Sequence, residues 1–429
     1  MDSYCQNCST MGSSYTYASK LFASRAVRTP IFHRVFKCQT YSIARGFQRA
    51  PTTRSIHDVE IFEKPLVDRS GRNVVSLEDL KRWRAWARSC ADRAAAKIQH
   101  NQSLILPKLE SLYLEIDWIL QDAIVTKCDE RDGDHIGRFE YLSGRGGNLC
   151  GNSAVLVREN LAELQFMWER RLLDRVPFQY TTATCYWREL VLLVTPAVLI
   201  PRPETELMID LARTALLHSP RLCASPWVDL GTGSGALAIC LAAEIDKARD
   251  LADLPETEEV YVHAVEISNS AAKVARYNVE RYDLSSSGGC KIRVHEGSWY
   301  EPLKSAGVLE ACLGNDNEYV GTFGGIVSNP PYIPYAEMLN LQPEVRYHEP
   351  WLALEGGGTN GLEYYGLICK GAAQHLLPGG FILLETGGGS QVKDVLKLLS
   401  CLRNFKDVHT HMDYNGVERF VSAWKRIET

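Results

Sequence analysis

The stretch Gly325-Ile326-Val327-Ser328-Asn329-Pro330-Pro331-Tyr332 joins an apolar run to a polar amide and two prolines. Proline lacks the N–H that a central strand needs, so Pro330 and Pro331 end a buried strand instead of continuing it. The Asn329 side chain and the nearby carbonyls are left at a C-terminal strand tip, where open α/β sheets place their ligands. Such groups accept hydrogen bonds from an incoming amino group. Taken alone, Asn-Pro-Pro also reads as an ordinary turn.

Upstream, Asp229-Leu230-Gly231-Thr232-Gly233-Ser234-Gly235 follows the apolar pair Trp227-Val228 and precedes the helical pattern Ala236-Leu237-Ala238-Ile239-Cys240-Leu241. A glycine-rich strand-to-helix turn lets the backbone approach a ligand closely, and the helix start adds exposed N–H donors. The run lacks the Lys-Ser/Thr pair of a phosphate-cradling loop and the full dinucleotide pattern. A nucleoside ligand without phosphates fits better, and S-adenosylmethionine meets that description. A second strand ends at Glu266, and in the usual doubly wound order its carboxylate lies beside the glycine turn and accepts from ribose hydroxyls. A solvent-exposed acid at a strand end is the plainer alternative.

Beyond Pro226, short apolar runs alternate with helical patterns, which predicts an α/β fold with a parallel sheet. The candidate strands are Trp227 to Leu230, Val260 to Val265, Lys291 to Val294, Gly325 to Ser328 and Phe381 to Glu385. Two more, near Val408 to Met412 and Phe420 to Trp424, have no long helix between them and should form an antiparallel hairpin. Asp246 to Glu258, Ser285 to Gly289 and Gly314 to Gly324 read as inserted loops.

Ser76 to Arg175 is helical in pattern, with Ser76 as an N-cap before Glu78 and Asp79. Further helices are predicted over Leu112 to Val125 and Leu156 to Leu173, with Asp129 to Gly151 a surface insertion. Alternation in Tyr186 to Val194 suggests a hairpin, followed by Ile200-Pro201-Arg202-Pro203-Glu204-Thr205-Glu206 and a helix over Leu207 to Leu217. That proline-acid cluster reads by itself as a helix N-terminus. The division is therefore 1–57 leader, 58–175 helical domain, 176–202 hairpin linker and 203–429 catalytic domain.

The net charge of −5 is uneven: Met1 to His57 carries +7, leaving −12 on the rest. An acidic body argues against direct duplex nucleic-acid binding. The leader is acid-poor and rich in Arg, Ser and Tyr, the composition of a mitochondrial transit peptide, which places the protein in the matrix; a tail that addresses nothing is the alternative. No apolar run is long enough for a membrane span. The thirteen cysteines are dispersed apart from Cys5-Gln6-Asn7-Cys8, which has no partner pair, so neither metal nor disulfide is expected.

An amide or aromatic amine nitrogen is a poor nucleophile because its lone pair is delocalised. If the Asn329 side-chain oxygen and the Pro330 carbonyl accept its two N–H groups, the lone pair turns toward a methyl donor. Tyr332 would stack on or wall off the planar substrate. Adenine amino-methylation of nucleic acid follows the same logic, but would want a basic reading domain. A non-catalytic binding protein on the same fold would not need the amide clamp.

Phe178-Gln179-Tyr180, the Ile200 to Glu206 run, Asp229 to Gly235, Ser328 to Ile333, Glu349 to Gly357 with Asn360-Gly361-Leu362, and Leu377-Pro378-Gly379-Gly380 occur in order. Together they closely resemble the HemK/PrmC family of release-factor glutamine methyltransferases, over Val176 to Lys425. The resemblance implies a seven-stranded class I (Rossmann-like) methyltransferase domain with an N-terminal helical domain. It implies S-adenosylmethionine as cofactor and, as substrate, the glutamine of the Gly-Gly-Gln motif in a peptide chain release factor. Carried across, the cofactor residues are Gly231, Thr232, Gly233, Ser234, Gly235, Glu266, Trp299 and Asn329. The glutamine meets Asn329, Pro330, Pro331 and Tyr332, of which Asn329, Pro330 and Tyr332 are catalytic. Glu266 stands where the family more often has aspartate, which preserves ribose bonding and lengthens the reach. Trp299 corresponds to a position near the adenine, and core packing is its alternative. A monomer is expected.

Overall fold

A computed structural model describes residues 64–99, 107–125, 154–254, 259–285, 289–309 and 321–427. The leader, Cys5 and Cys8, and the insertion at 129–151 lie outside those residues. Of the described residues, 69–172 form one compact unit, and 64–68 with 173–427 form a second.

The first unit contains β1 (Asn73–Ser76), α1 (Leu77–Gln99), α2 (Leu109–Ala123), β2 (Ala154–Val157) and α3 (Leu161–Leu173). Ser76 caps α1: its hydroxyl accepts from the Asp79 amide at 3.0 Å and donates to the Asp79 carboxylate at 2.7 Å. Leu80, Trp83, Ala87 and Ala91 recur on one helical face and are buried with Leu112, Ile116 and Ile119 of α2. Trp168 of α3 donates its indole N–H to the Ala87 carbonyl at 3.0 Å. Ser76 to Arg175, read as helical in pattern, is not helical throughout. Ala154-Val155-Leu156-Val157 pairs antiparallel with Asn73–Ser76, so the helix read from Leu156 begins only at Leu161. Two of those four residues are β-branched valines, which suit a pleated surface better than a first helical turn.

The second unit opens with the short α4 (Phe178–Thr182) and the hairpin β3 (Thr184–Trp187) and β4 (Leu190–Leu193). There follow α5 (Glu206–His218), β5 (Trp227–Leu230), α6 (Ala236–Leu251), β6 (Val260–Glu266), α7 (Asn269–Arg281) and β7 (Cys290–Glu296). After α8 (Glu301–Ser305) come β8 (Phe323–Ser328), α9 (Tyr335–Met338), α10 (Pro343–His348) and α11 (Glu363–His375). The unit closes with β9 (Leu376–Glu385), α12 (Ser390–Cys401), β10 (Phe405–Met412) and β11 (Glu418–Lys425).

Seven strands form one sheet in the order β10-β11-β9-β8-β5-β6-β7. β9, β8, β5, β6 and β7 run parallel, and β11 lies antiparallel between β9 and β10. This is the class I methyltransferase arrangement, with the predicted terminal hairpin in place. Buried parallel strands read as continuous apolar runs, and all residues of β5 and β8 are buried. Chain order reverses between β5 and its two neighbours, β6 and β8. The crevice outside their carboxyl ends is thus the topological switch point.

Two loop readings are corrected. α6 runs on to Leu251, so the segment from Asp246 is helical at first, and β8 begins at Phe323, inside the loop read to Gly324. β9 is also longer than read. Pairing with β8 jumps from Phe323↔Leu376 to Gly325↔Phe381, so Pro378-Gly379-Gly380 is an irregularity within the strand, not a turn before it. Among the described residues no helix is long and apolar enough to cross a membrane, and no His, Cys, Asp or Glu cluster is built to hold a metal. The seven described cysteines are free thiols, four of them buried.

Candidate active site

The glycine turn follows β5 directly. Gly231, Gly233 and Gly235 take φ of +79°, +54° and +85°, values that side chains with a Cβ rarely adopt. A Cβ added at Gly231 or Gly233 would meet no protein atom within 4 Å, so the backbone there borders open space. Gly235 closes the turn against α7, where an added Cβ would meet Ala275 at 3.6 Å. The turn is pinned from three sides. Gly231 and Thr232 donate their amides to the Val265 carbonyl, each at 2.9 Å. The Thr232 hydroxyl donates to Asp229 at 2.6 Å. The fully buried Asn278 of α7 donates to the carbonyls of Ser234 (2.8 Å) and Leu193 (3.0 Å) and accepts from the Leu193 amide. Burial pushes the Asp229 carboxyl up to about 7, and the nearby Glu266 charge adds to this against the Thr232 hydrogen bond.

Glu266 ends β6 beside this turn, as read. Its Oε2 accepts from the Gly233 amide at 3.0 Å and its Oε1 from the Ser268 amide at 2.9 Å. Burial raises its pKa above the usual carboxylate value, and the amides of Ser268, Gly233 and Ile267 oppose the rise. The carboxylate is therefore fixed in place, with lone pairs remaining on both oxygens. Positive-φ glycines facing open space and an immobilised carboxylate beside them fit a nucleoside carrying vicinal hydroxyls. These are the residues that would hold S-adenosylmethionine. Trp299 follows β7 with φ +46°, and its indole packs on Tyr364 with ring centroids 5.4 Å apart.

β8 pairs with β5 in register, Asp229 opposite Val327, and the Ser328 hydroxyl donates to the Leu230 carbonyl at 2.6 Å. Asn329 therefore emerges beside Gly231, and the amide tip and the glycine turn share one crevice. The Asn329 side-chain N–H donates to the Thr205 hydroxyl at 3.2 Å, and that hydroxyl donates to the Glu385 carboxylate at 2.7 Å. No described protein group donates to the Asn329 oxygen. Pro330 is buried and Pro331 half-buried. The Tyr332 ring is packed against the sheet's core, and burial followed by the Glu385 charge pushes its phenol up to about 12. Its backbone is clamped by Gln391 of α12, whose amide donates to the carbonyls of Tyr332 (2.7 Å) and Asn360 (2.8 Å).

Four of the groups holding this crevice went unread in the sequence: Thr205, Glu385, Asn278 and Gln391. Thr205 occupies the N-cap position of α5 yet caps nothing, because its hydroxyl is engaged elsewhere. Glu385 carried a signal that was available, an acid at a parallel strand's C-terminal end, the same signal that marked Glu266. The Pro201 to Glu206 run is anchored by the buried Glu349, which accepts from Arg202 at 2.6 Å and from the Ile200 amide at 3.2 Å.

No protein-family model matches the chain. It is similar to the release factor glutamine methyltransferase of Synechocystis sp., 41% identical over 272 residues, covering 63% of this chain and 80% of that one. It is similar also to the release factor glutamine methyltransferase of Geobacter sulfurreducens, 38% identical over 315 residues, 73% of this chain and 90% of that one. Among solved structures, a protein-(glutamine-N5) methyltransferase (release factor-specific) from Alicyclobacillus acidocaldarius is 23% identical and covers 55% of this chain and 99% of that one. The TM-score of that superposition is 0.29, too loose to bear on the assignment. Identity at this level to most of the length of two such relatives, on a sheet that joins the glycine turn to the amide tip, decides the matter: the chain belongs to the release factor glutamine methyltransferase family of S-adenosylmethionine-dependent enzymes.

Proposed function

We propose that this protein methylates the side-chain amide nitrogen of the glutamine in the Gly-Gly-Gln motif of a mitochondrial peptide chain release factor. The observation that carries the reading is the Asn329 carboxamide. It lies beside the glycine turn, its N–H is committed to Thr205, and no described protein group donates to its oxygen. S-adenosylmethionine, when bound, supplies an electrophilic methyl carbon. The chain's own part is to hold the amide. The Asn329 oxygen and the Pro330 carbonyl accept the two N–H groups of the glutamine, which aims the nitrogen lone pair and stabilises the positive charge that grows on nitrogen. Nitrogen gains a bond to carbon as the carbon–sulfur bond breaks, and an amide proton then leaves to solvent. A side-chain base is not required, and Tyr332, a neutral phenol at physiological pH, is not one. Its place is that of a wall beside the amide.

The matrix location rests on the composition of residues 1–57, and the acidic body favours a protein over a nucleic-acid substrate. The test is incubation with methyl-labelled S-adenosylmethionine and mitochondrial release factor, with the Gly-Gly-Gln glutamine intact or replaced. Label on the intact protein alone is expected; label on both, or on neither, removes the proposal. Import of the full chain into isolated mitochondria with loss of a leader checks the location.

A further inference from the structure

Thr205 has one hydroxyl proton and two neighbours that want it. Glu385 lies 2.7 Å from the hydroxyl and Asn329 lies 3.2 Å from it, on segments 180 and 124 residues away. Glu385 is 1% exposed and Thr205 is 5% exposed, so water does not compete for these bonds. An ionised carboxylate only accepts, and must take the Thr205 proton. Thr205 then has only lone pairs to offer Asn329, which answers with its NH2 group, and the Asn329 oxygen is left over. We infer that Thr205 and Glu385 are positioning residues for methyl transfer, a relay whose ionised form fixes the Asn329 amide with its oxygen free to accept the substrate N–H. This rests on the reading that Asn329 receives the glutamine amide.

The relay has a second state. Once protonated, Glu385 donates to the Thr205 oxygen, and the Thr205 proton is released toward Asn329. The Asn329 oxygen is then the better partner for Thr205, the amide turns over, and its NH2 opposes the N–H of the substrate. The groups facing Glu385 determine where this happens. Arg419 on β11, itself bonded to Asp413, and Arg202 in the loop before α5 favour the ionised form, and Glu204 in that loop disfavours it. The neutral phenols of Tyr332 and Tyr365 also lie close, and Tyr365 of α11 donates to the Glu385 backbone carbonyl at 2.7 Å. Burial outweighs the Thr205 hydrogen bond and the two arginines and pushes the carboxyl up to about 7.

The test uses the full-length protein with S-adenosylmethionine and release factor at saturation from pH 5.5 to 8.5. Turnover of the parent is expected to rise with pH through a midpoint near 7. Thr205→Val, which keeps the shape and deletes the hydroxyl, is expected to lose ten- to a hundredfold in kcat, with the affinity for S-adenosylhomocysteine within twofold. Thr205→Ser is expected to restore kcat to within threefold and to keep the rise, and Glu385→Gln to abolish the rise. Independently of any substrate, the Asn329 side-chain amide is followed in protein labelled with 15N-asparagine and assigned through Asn329→Asp. Its proton shifts are expected to titrate near pH 7 in the parent and not in Glu385→Gln. Methyl transfer with Thr205→Val as fast as the parent, or an Asn329 amide that does not titrate, overturns the relay. A titrating amide in a protein that labels no release factor leaves the relay standing and overturns the substrate.

Discussion

Asn329 and Glu266 divide the work of the crevice, one on the group being methylated and one on the donor, so their deletions should separate. Asn329→Ala removes one preorganised acceptor, a loss that typically costs about 10²–10³ in turnover. It should leave the affinity for S-adenosylhomocysteine close to that of the parent by calorimetry. Glu266→Ala should reverse the pattern. A charge-assisted hydrogen bond is worth roughly 1.5–3 kcal/mol, so cofactor affinity should weaken about ten- to a hundredfold. A wild-type dissociation constant would mean that the carboxylate serves only the Gly233 and Ser268 amides that it already accepts from. Both residues were legible in the sequence because each directly follows an apolar run, and a strand's end is a place that periodicity reveals. Thr205 was not, since a threonine before a helix is ordinarily a cap. Glu385 lies 180 residues away, and only the pairing of β8 with β9 brings it to the tip that Asn329 occupies.

The strands β5 and β8 that carry the two halves of the site are held at their distance by a glycine. A Cβ at Gly325 would lie 2.3 Å from the Trp227 indole, whose ring is fully buried and has nowhere to move. Gly325→Ala should therefore destabilise the protein by about 1–3 kcal/mol through overpacking. Gly366, inside α11 with open space around its Cα, is the opposite case. Gly366→Ala should stabilise by about 0.5–1 kcal/mol, because alanine gives up less backbone entropy on entering a helix. Denaturant midpoints measured on both variants check the pair, and equal signs would contradict it. The central strands could be read because parallel strands buried on both faces are unbroken apolar runs. The elements misread were those made by a distant partner. β2 exists because Asn73–Ser76 lies against it, and the Pro378-Gly379-Gly380 irregularity is absorbed into β9 because β8 and β11 continue to pair beyond it.

Taken over the whole second unit, the acids that serve the crevice are buried against their preference, and this sets how stability follows pH. Asp229 and Glu385 are each pushed up to about 7 from ordinary values of 3.8 and 4.5. The native state therefore holds protons that the unfolded chain has released. The stability they confer is whole below their unfolded values and is lost as pH rises through about 7. His263 on β6 works in the other direction. Burial, then the positive neighbours His295 and Arg293, push it down to about 3, so its contribution grows with pH and is complete near its ordinary 6.5. Above that point the two carboxyls act without its opposition. The thermal midpoint is thus expected to fall between pH 6.5 and 8, and Asp229→Asn and Glu385→Gln should each reduce the fall, most of all together. Calorimetry of the parent and the three variants across that interval decides it, since a midpoint that holds or rises would mean that neither acid keeps its proton. The same interval is where the Thr205 relay changes state, so the conditions that free the Asn329 oxygen for catalysis are those in which the fold gives up stability to keep Glu385 charged.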